Sequence, residues 1–409
     1  MNEKKKLQPK VRFREFTGEN APDWEQRKLG EIGKKVTEKN INNQYGKVFT
    51  NSAIYGIINQ DDFFDKEIVN LKNSTGYYVV RQNDFVYNPR ISKYAPVGPI
   101  KRNLLGDIGI MSPLYFVFRV VGVDLDYLEK YFDTKYWHKF MRLNGDTGAR
   151  ADRFSIKDEL FLQLPIPTTN INEQKNIGKF FKMLDKLITL HQRKLEQLEQ
   201  LKNTLLSKMF PKSGTNIPEI RFSGFTDAWK QRKAKEIFIT ISEKGHIDLP
   251  VLSASQEFGM VERNNIGIDI KYDLNSIKNY KRVLPKQFVI HLRSFQGGFA
   301  WSTIEGITSP AYTVIDFIEK SNQDFGFWKI FLTSTNFIKK LETVTYGIRD
   351  GRSISFNDFS SMNFVIPNIN EQERIGNLFQ KIDNYIAIHQ RKLDQLKNLK
   401  QTLLNKMFI

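Results

Sequence analysis

The sequence contains no cysteine and only five histidines in 409 residues. The missing cysteine excludes a disulfide-stapled secreted fold and every cysteine-ligated zinc or iron–sulfur site. No two histidines stand at the spacing of metal ligands, so we expect no metal site. The five are His138, His191, His246, His291 and His389.

Long apolar runs are also missing, because no stretch of 18 or more apolar residues occurs. We therefore expect no membrane-spanning segment. The charged residues at the start of the chain lack the apolar stretch that follows in a secretion signal. Together these features predict a soluble cytoplasmic protein.

Motifs of catalysis are scarce. The chain has no GxxxxGK[ST] phosphate loop and no GxGxxG after a strand, so nothing points to ATP or dinucleotide chemistry. The segment 87–90 is only faintly like the Asn-Pro-Pro-aromatic corner of adenine methyltransferases, and 22–28 resembles a nuclease PD…ExK pattern only superficially. We expect a protein without catalysis, with a nuclease or methyltransferase as one alternative.

Charge of one sign is in excess, with 62 Lys and Arg against 45 Asp and Glu and a net charge of +17. The 40% hydrophobic content is too high for a disordered chain. A strongly basic folded protein indicates a polyanionic partner, nucleic acid first. An adaptor that binds protein or RNA is the other alternative.

The chain is internally repeated, since residues 171–210 and 369–408 are identical at 24 of 40 positions without gaps. Each copy follows a globular half, and the halves share scattered landmarks such as Trp24 and Trp229. The repeat predicts six segments: an N-terminal arm (1–21), a first globular domain (22–170), a central helical region (171–212), a linker (213–226), a second globular domain (227–368) and a C-terminal helical region (369–409).

Each helical copy carries a heptad seam, with apolar residues at alternating steps of four and three. A helix of about 39 residues is about 58 Å long, so it must bury its stripe on something outside its own globular unit. We expect antiparallel pairing with the other copy, and parallel pairing is the alternative. Asn172 and Asn370 are expected to cap the helices. The histidines at the middle are expected to meet. The predicted seam residues are Ile177, Phe181, Leu184, Ile188, His191, Leu195, Leu198, Ile375, Phe379, Ile382, Ile386, His389, Leu393 and Leu396.

The globular halves mix strand-like and helical patterns, which predicts an α+β fold with an internal pseudo-two-fold repeat. Runs of branched and aromatic residues predict strands within 79–87, 114–123, 283–291 and 312–317. Two further stretches, 125–141 and 323–341, are predicted to be helices.

Loops after two of these strands carry side chains suited to a DNA duplex. Arginine can bond guanine bidentately and lysine can hold phosphate, although ordinary solvated loop residues would look the same. In each half, one Gly-rich turn before the last strand carries two arginines. These arginines either grip phosphate or pair with a neighbouring aspartate, Asp152 in the first half and Asp350 in the second. The candidate DNA-binding residues are Arg90, Ser92, Lys93, Tyr94, Arg150, Arg153, Arg293, Ser294, Gln296, Arg349 and Arg352.

The sequence resembles the specificity (S) subunit of type I restriction–modification enzymes over nearly its whole length. The resemblance is carried by Phe-Arg-Glu-Phe at 13–16 with Trp24, Arg-Phe-Ser-Gly-Phe at 221–225 with Trp229, the Ile-Pro and Ile-Asn-Glu-Gln motifs at 166–174 and 366–372, and the two helices.

The resemblance implies two target recognition domains that alternate with two helical regions paired as an antiparallel coiled coil. It implies a non-catalytic DNA reader in which each domain recognises half of a split, asymmetric target and the helices set the gap. It also implies two methyltransferase (M) subunits that use S-adenosylmethionine and restriction (R) subunits that use ATP and Mg²⁺, with no cofactor in this chain.

Overall fold

A computed structural model describes residues 7–19, 21–62, 74–147, 152–255, 257–266, 277–291, 298–334, 337–338, 341 and 356–409. The chain forms two compact units. The first joins Met1–Gln192 to Arg391–Ile409, and the second is Arg193–Gln390. Each unit therefore contains one globular domain with parts of both long helices. None of the described helices is both long and apolar enough to cross a membrane.

The first unit is built on antiparallel strands. Four of them form a sheet in the order β2-β9-β6-β7, and three two-stranded pairs, β1–β10, β3–β4 and β5–β8, surround it. In the sheet Phe85 lies opposite Phe118, and both are fully buried. The strands are β1 (Glu25–Lys28), β2 (Gly33–Lys35), β3 (Phe49–Ser52), β4 (Gly56–Asn59), β5 (Tyr78–Val80), β6 (Phe85–Tyr87), β7 (Ile100–Arg102), β8 (Gly109–Met111), β9 (Phe116–Val120) and β10 (Pro165–Thr168).

Helices cover one face of this sheet. Tyr127 and Leu128 of α2 lie in one buried cluster with Phe85 and Phe118, so the second helix is fixed to the sheet by apolar packing. The helices are α1 (Leu29–Ile32), α2 (Leu125–Phe132), α3 (His138–Asn144), α4 (Asp158–Phe161) and the long α5 (Ile171–Lys208).

The second unit repeats this topology strand for strand. Its sheet has the order β12-β19-β16-β17, and the pairs β11–β20, β13–β14 and β15–β18 correspond to those of the first unit. The strands are β11 (Lys230–Lys233), β12 (Phe238–Ile241), β13 (Leu252–Ser255), β14 (Gly259–Glu262), β15 (Lys281–Val283), β16 (Phe288–Ile290), β17 (Phe299–Trp301), β18 (Gly306–Thr308), β19 (Thr313–Phe317) and β20 (Asn363–Ile366). The helices are α6 (Phe325–Thr333), α7 (Phe356–Ser361) and the long α8 (Ile369–Met407).

The long helices run antiparallel within each unit. In the first, Asp185 of α5 lies 2.6 Å from Lys400 of α8, and the ring of Phe181 stacks on the ring of Phe408. In the second, Lys202 of α5 lies 2.7 Å from Asp383 of α8. In the first unit the residue numbers fall along α5 as they rise toward the end of α8, so the two helices run in opposite directions. The predicted α+β repeat with an antiparallel helix pair is confirmed.

The seam residues differ in burial. Nine side chains are buried: Ile177, Phe181, Leu184, Leu195, Ile375, Phe379, Ile382, Leu393 and Leu396. Five are half-buried: Ile188, His191, Leu198, Ile386 and His389. The approach of His191 to His389 stays a prediction.

Two local predictions were wrong. The caps are not Asn172 and Asn370, which lie inside the helices, because Asn170 and Asn368 accept the amides of Glu173 and Glu371 at 2.9 and 3.0 Å. The chain offers an asparagine at both places, and only the residue just before the first helical turn can reach those amides. The two long helices themselves begin at Ile171 and Ile369.

The helices predicted at 125–141 and 323–341 are shorter than expected. The first is broken between α2 and α3, where the Thr134 hydroxyl and the Trp137 indole bond the last carbonyls of α2 at 2.7 and 3.2 Å. In the second half α6 ends at Thr333, because the extended backbone of Ser334 cannot continue the helix. The predicted strand runs do contain strands.

Candidate nucleic-acid interface

The loop after β6 in the first domain, residues 88–98, is held in one conformation by side chains. The amide of Asn88 donates to the carbonyl of Asn51 at 2.8 Å, and its oxygen accepts the backbone N–H of Arg90 at 2.9 Å. Ser92 and Ala95 exchange two backbone hydrogen bonds of 3.1 Å. The loop therefore starts on the buried sheet and turns back on itself before Gly98.

Gly98 is required where the loop closes. Its φ of +82° lies in the left-handed region, and a Cβ there would overlap the carbonyl oxygen of Asn88. Beneath the loop, the Tyr87 hydroxyl donates to the carbonyls of Val97 and Phe154 at 3.0 and 3.2 Å. Burial raises the pKa of Tyr87, so this hydroxyl stays protonated and can donate.

A second segment, residues 152–155, is bonded to the same loop. Phe154 donates its N–H to the carbonyl of Pro89 at 2.7 Å, and Ile91 donates to the carbonyl of Asp152 at 2.9 Å. The backbones of Arg90 and Arg153 pair as an antiparallel bridge. Two parts of the chain 63 residues apart thus form one surface, which we call the recognition loop pair (88–98 with 152–155).

The recognition loop pair presents cations and an aromatic ring to solvent. Arg90, Lys93 and Arg153 are exposed, and Tyr94 is 62% exposed. The ammonium of Lys93 lies 4.9 Å from the centre of the Tyr94 ring. Guanidinium and ammonium groups bind phosphate or guanine edges, and an exposed ring can stack. A rigid backbone lowers the entropy lost when such side chains bind.

The structure thus brings together five of the predicted residues of the first domain: Arg90, Ser92, Lys93, Tyr94 and Arg153. The remaining candidates lie outside the described residues, namely Arg150, Arg293, Ser294, Gln296, Arg349 and Arg352. For all of these candidates, described or not, the DNA-binding role stays a prediction.

Sequence reasoning missed the residues that hold the loop. Asn51 sits on β3, far from the loop in sequence, and donates to the carbonyls of Val86 and Pro99 at 2.7 and 3.3 Å. The only signal was composition, since Asn88-Pro89 and Gly98-Pro99 are turn formers. A turn former does not reveal which distant strand it is bonded to.

The segment that precedes each domain meets the start of a long helix through an ion pair with a buried glutamate. Arg12 bonds Glu173 at 2.8 and 2.7 Å, and Arg221 bonds Glu371 at 2.9 and 2.7 Å. The hydrogen bond to Glu371 raises the pKa of Arg221. These glutamates belong to the two Ile-Asn-Glu-Gln motifs, which explains why the motif recurs.

The glutamine of the same motif binds the first turn of a domain helix. Gln174 accepts the backbone N–H of Asp124, the residue that caps α2, at 2.9 Å. Gln372 accepts that of Asp324, the cap of α6, at 3.0 Å. Burial raises the pKa of Asp324.

Comparison with known proteins agrees with this architecture. Residues 226–398 match the family model described as the type I restriction modification DNA specificity domain. The chain is 23% identical over 425 residues to the type I restriction enzyme MjaVIII specificity subunit of Methanocaldococcus jannaschii, which covers 96% of this chain and 94% of that protein. Its fold resembles the crystal structure of the type I restriction-modification system S subunit from M. genitalium, with a TM-score of 0.56, 12% identity, and 98% and 99% coverage.

The second half of the chain thus matches a DNA specificity domain, and the first half repeats its strands and helices. The resemblance inferred from the sequence is confirmed: the chain is similar over nearly its whole length to a specificity subunit of a type I restriction enzyme, and these matches support DNA target recognition. This class of subunit is in general non-catalytic.

Proposed function

We infer that each globular domain reads one half of a bipartite, asymmetric DNA target. The recognition loop pair carries this assignment, because it is a rigid surface that presents three cations and an exposed ring. The corresponding connection of the second domain, between β16 and β17, has eight residues (291–298) against twelve (88–99) between β6 and β7. Domains of one topology with unlike loops suit two different half-sites.

The two long helices set the gap between the half-sites. Their antiparallel run in each unit supports a spacer role, since each domain leads directly into one helix. At 1.5 Å per residue and about 3.4 Å per base pair, one helical turn corresponds to about one to two base pairs. Deletion of one turn, such as 195–198, is expected to shorten the gap and leave both half-sites unchanged.

The chain works with partner subunits that carry the chemistry. We propose two methyltransferase subunits docked around the helices, with S-adenosylmethionine as methyl donor, and restriction subunits that use ATP and Mg²⁺. A cytoplasmic location would give such a complex access to DNA. The specificity subunit itself takes no cofactor in this scheme, and incubation of the chain alone with DNA, Mg²⁺ and labelled methyl donor should give no turnover.

The deciding experiment exchanges residues 227–368 for the matching domain of another specificity subunit. Methylome sequencing of cells that express the hybrid with the methyltransferase subunit should show one half-site replaced and the other kept. Cells that express the unaltered chain are the control. A hybrid that changes both half-sites, or a chain that gives no bipartite motif at all, would contradict the proposal.

A further inference from the structure

A glycine inside each long helix lies where a domain helix rests on it. A Cβ on Gly178 of α5 would lie 2.8 Å from the Asp124 carboxylate and 2.9 Å from the Tyr127 nitrogen. A Cβ on Gly376 of α8 would lie 2.9 Å from the Phe327 nitrogen and closer still to the Asp324 carboxylate. Contacts of this length do not occur between real side chains, so both positions require the absence of a Cβ.

The two contacts are built alike. In each, an aspartate caps the domain helix and accepts the N–H three residues on, at 2.9 Å for Tyr127 and 2.7 Å for Phe327. In each, a glutamine four residues before the glycine accepts the N–H of the same aspartate. We call these the glycine joints: Asp124 with Gln174 and Gly178, and Asp324 with Gln372 and Gly376.

The joints are connected rigidly to the DNA-reading side of each domain. Tyr127 and Leu128 follow the first joint directly and pack in the core with Phe85 of β6, the strand that leads into the recognition loop pair. In the second domain Phe327 and Trp328 share a core cluster with Phe288 of β16. Close-packed cores transmit a displacement instead of absorbing it, so a shift at the joint moves the sheet and its loops.

Glycine is otherwise unfavourable at these positions. The interior of a long helix favours alanine over glycine, and both glycines lie about two turns inside helices of 38 and 39 residues. Helix propensity alone would select alanine, whereas the close approach of the domain helix selects glycine. Helix propensity and the close approach of the domain helix thus favour different residues at both joints. Glycine is present at both, as the close approach requires.

We propose that Gly178 and Gly376 are positioning residues that set how each domain is held on its helix, and thereby the gap between the half-sites. The inference rests on the proposed function, because it assigns the gap partly to the joints and not to helix length alone. It is a specificity-determining role exerted without contact with DNA.

The test uses graded substitutions at one joint. Gly376→Ala forces the first turn of α6 away from α8. Gly326→Ala acts on the same contact from the other side and more mildly, because its Cβ would lie 3.2 Å from the Gly376 Cα. Gly178→Ala repeats the change in the first unit. Asn377→Ala is the matched control, since it introduces alanine at an exposed neighbour of Gly376 on α8.

Each variant is produced with its methyltransferase subunit and given plasmids that carry the wild-type half-sites at gaps from two base pairs shorter to two longer. We expect Gly376→Ala to lower methylation at the native gap by about tenfold to a hundredfold and to shift the preference to a neighbouring gap. Gly326→Ala should shift it less, and Asn377→Ala should keep the native preference.

The outcomes separate the two proposals. An unchanged gap preference in the glycine variants would overturn the joint inference and leave the proposed function standing. The joint inference would also be overturned if Gly326→Ala lowered methylation by the same factor at every gap. If Gly376→Ala does not fold, Gly326→Ala decides. A wild-type complex without a bipartite target overturns the proposed function first, whatever the variants do.

Discussion

The two units differ where the domain helix packs against the long helices. Aromatic rings line this contact in both units, but in the first unit it also contains a buried ionic cluster. Lys130 of α2 is buried and lies 2.7 Å from Asp185, which also pairs with Lys400. Burial opposes the charge of Asp133, yet Lys101, Lys130 and Lys400 hold the pKa of Asp133 at about 2.

In the second unit the described contact has aromatic packing but no buried lysine. The ring centre of Phe210, just after α5, lies 5.8 Å from that of Phe327 and 6.1 Å from that of Phe331 of α6. Lys329 lies over the Trp301 ring at 4.4 Å, and burial lowers the pKa of Lys329. The pair of Lys202 with Asp383 is the counterpart of Lys400 with Asp185.

The comparison separates what the architecture needs from what can vary. Both units keep the arginine–glutamate pair, the glutamine and the glycine at the start of the long helix, while the buried lysine cluster nearby is found, among the described residues, in the first unit alone. A buried ionic cluster and a well-packed apolar one can stabilise a contact similarly. The shared residues fix geometry, which only particular side chains can satisfy.

The largest expected effect comes from breaking the shared ion pair. Glu371→Ala leaves Arg221 without its buried partner and removes the acceptor of the Trp229 indole, which donates to Glu371 at 3.1 Å. We expect the free energy of unfolding of the second unit to fall by about 3–5 kcal/mol. Denaturant unfolding followed by hydrogen exchange in each unit measures it.

Glu173→Ala should have a similar effect on the first unit, because Glu173 is equally buried. Glu373→Ala, a change at an exposed neighbour on α8, is the matched control and should leave stability nearly unchanged. A large difference between the Glu173 and Glu371 variants would show that the two pairs are not equivalent.

The next effect sharpens the ionic side of the comparison. Asp133→Asn should lower the stability of the first unit at pH 7 by roughly 2 kcal/mol, because its depressed pKa reflects favourable interactions of the carboxylate. That contribution is present above the ordinary pKa near 4 and is lost as pH falls toward the folded value of about 2. The free energy of unfolding, measured from pH 7 to pH 2, should therefore change less with pH in the variant than in the unaltered chain.

Asp152→Asn is the control for this change, since Asp152 is exposed in the recognition loop pair. In the second unit Thr333 stands at the position that corresponds to Asp133. The pH dependence of the second unit's unfolding free energy should therefore not change in the Asp133 variant. An equal change in both units would contradict the assignment of acid sensitivity to this cluster.

The sequence predicted the repeat and the fold class, because these follow from the residue patterns and from the duplication itself. The antiparallel direction of the helices was favoured by the duplication and implied by the family resemblance. It did not predict the joints. Gln174 and Gly178 look like ordinary helix residues until α2 is placed against them, and the partners are about 50 residues apart. The ionic cluster around Lys130 was missed for the same reason, since its members come from four separate segments, β7, α2, α5 and α8.

The two tryptophans provide a smaller and closely matched comparison. Trp24 and Trp229 are 4% and 3% exposed, but the Trp229 indole donates to Glu371, whereas among the described residues the Trp24 indole nitrogen has no hydrogen-bond partner. Replacement by phenylalanine removes similar volume from both cores. Trp229→Phe should therefore cost about 1 kcal/mol more unfolding free energy than Trp24→Phe, and equal costs would contradict the role of the indole bond.

The smallest effect concerns the recognition loop pair and tests whether the two domains read separately. Arg90→Ala should weaken binding of the methyltransferase complex to its target by about 1 kcal/mol, because one cation is lost and the loop backbone stays bonded to Asp152 and Phe154. If Arg90 contacts a phosphate, the slope of log affinity against log salt should fall by about 0.9. Lys212→Ala, a change at an exposed cation just before the linker, is the control. Duplexes in which each half-site is mutated in turn show where the affinity is lost. We expect a loss at one half-site only, since the loop belongs to one domain. An equal loss at both would mean that Arg90 contributes only general attraction to DNA.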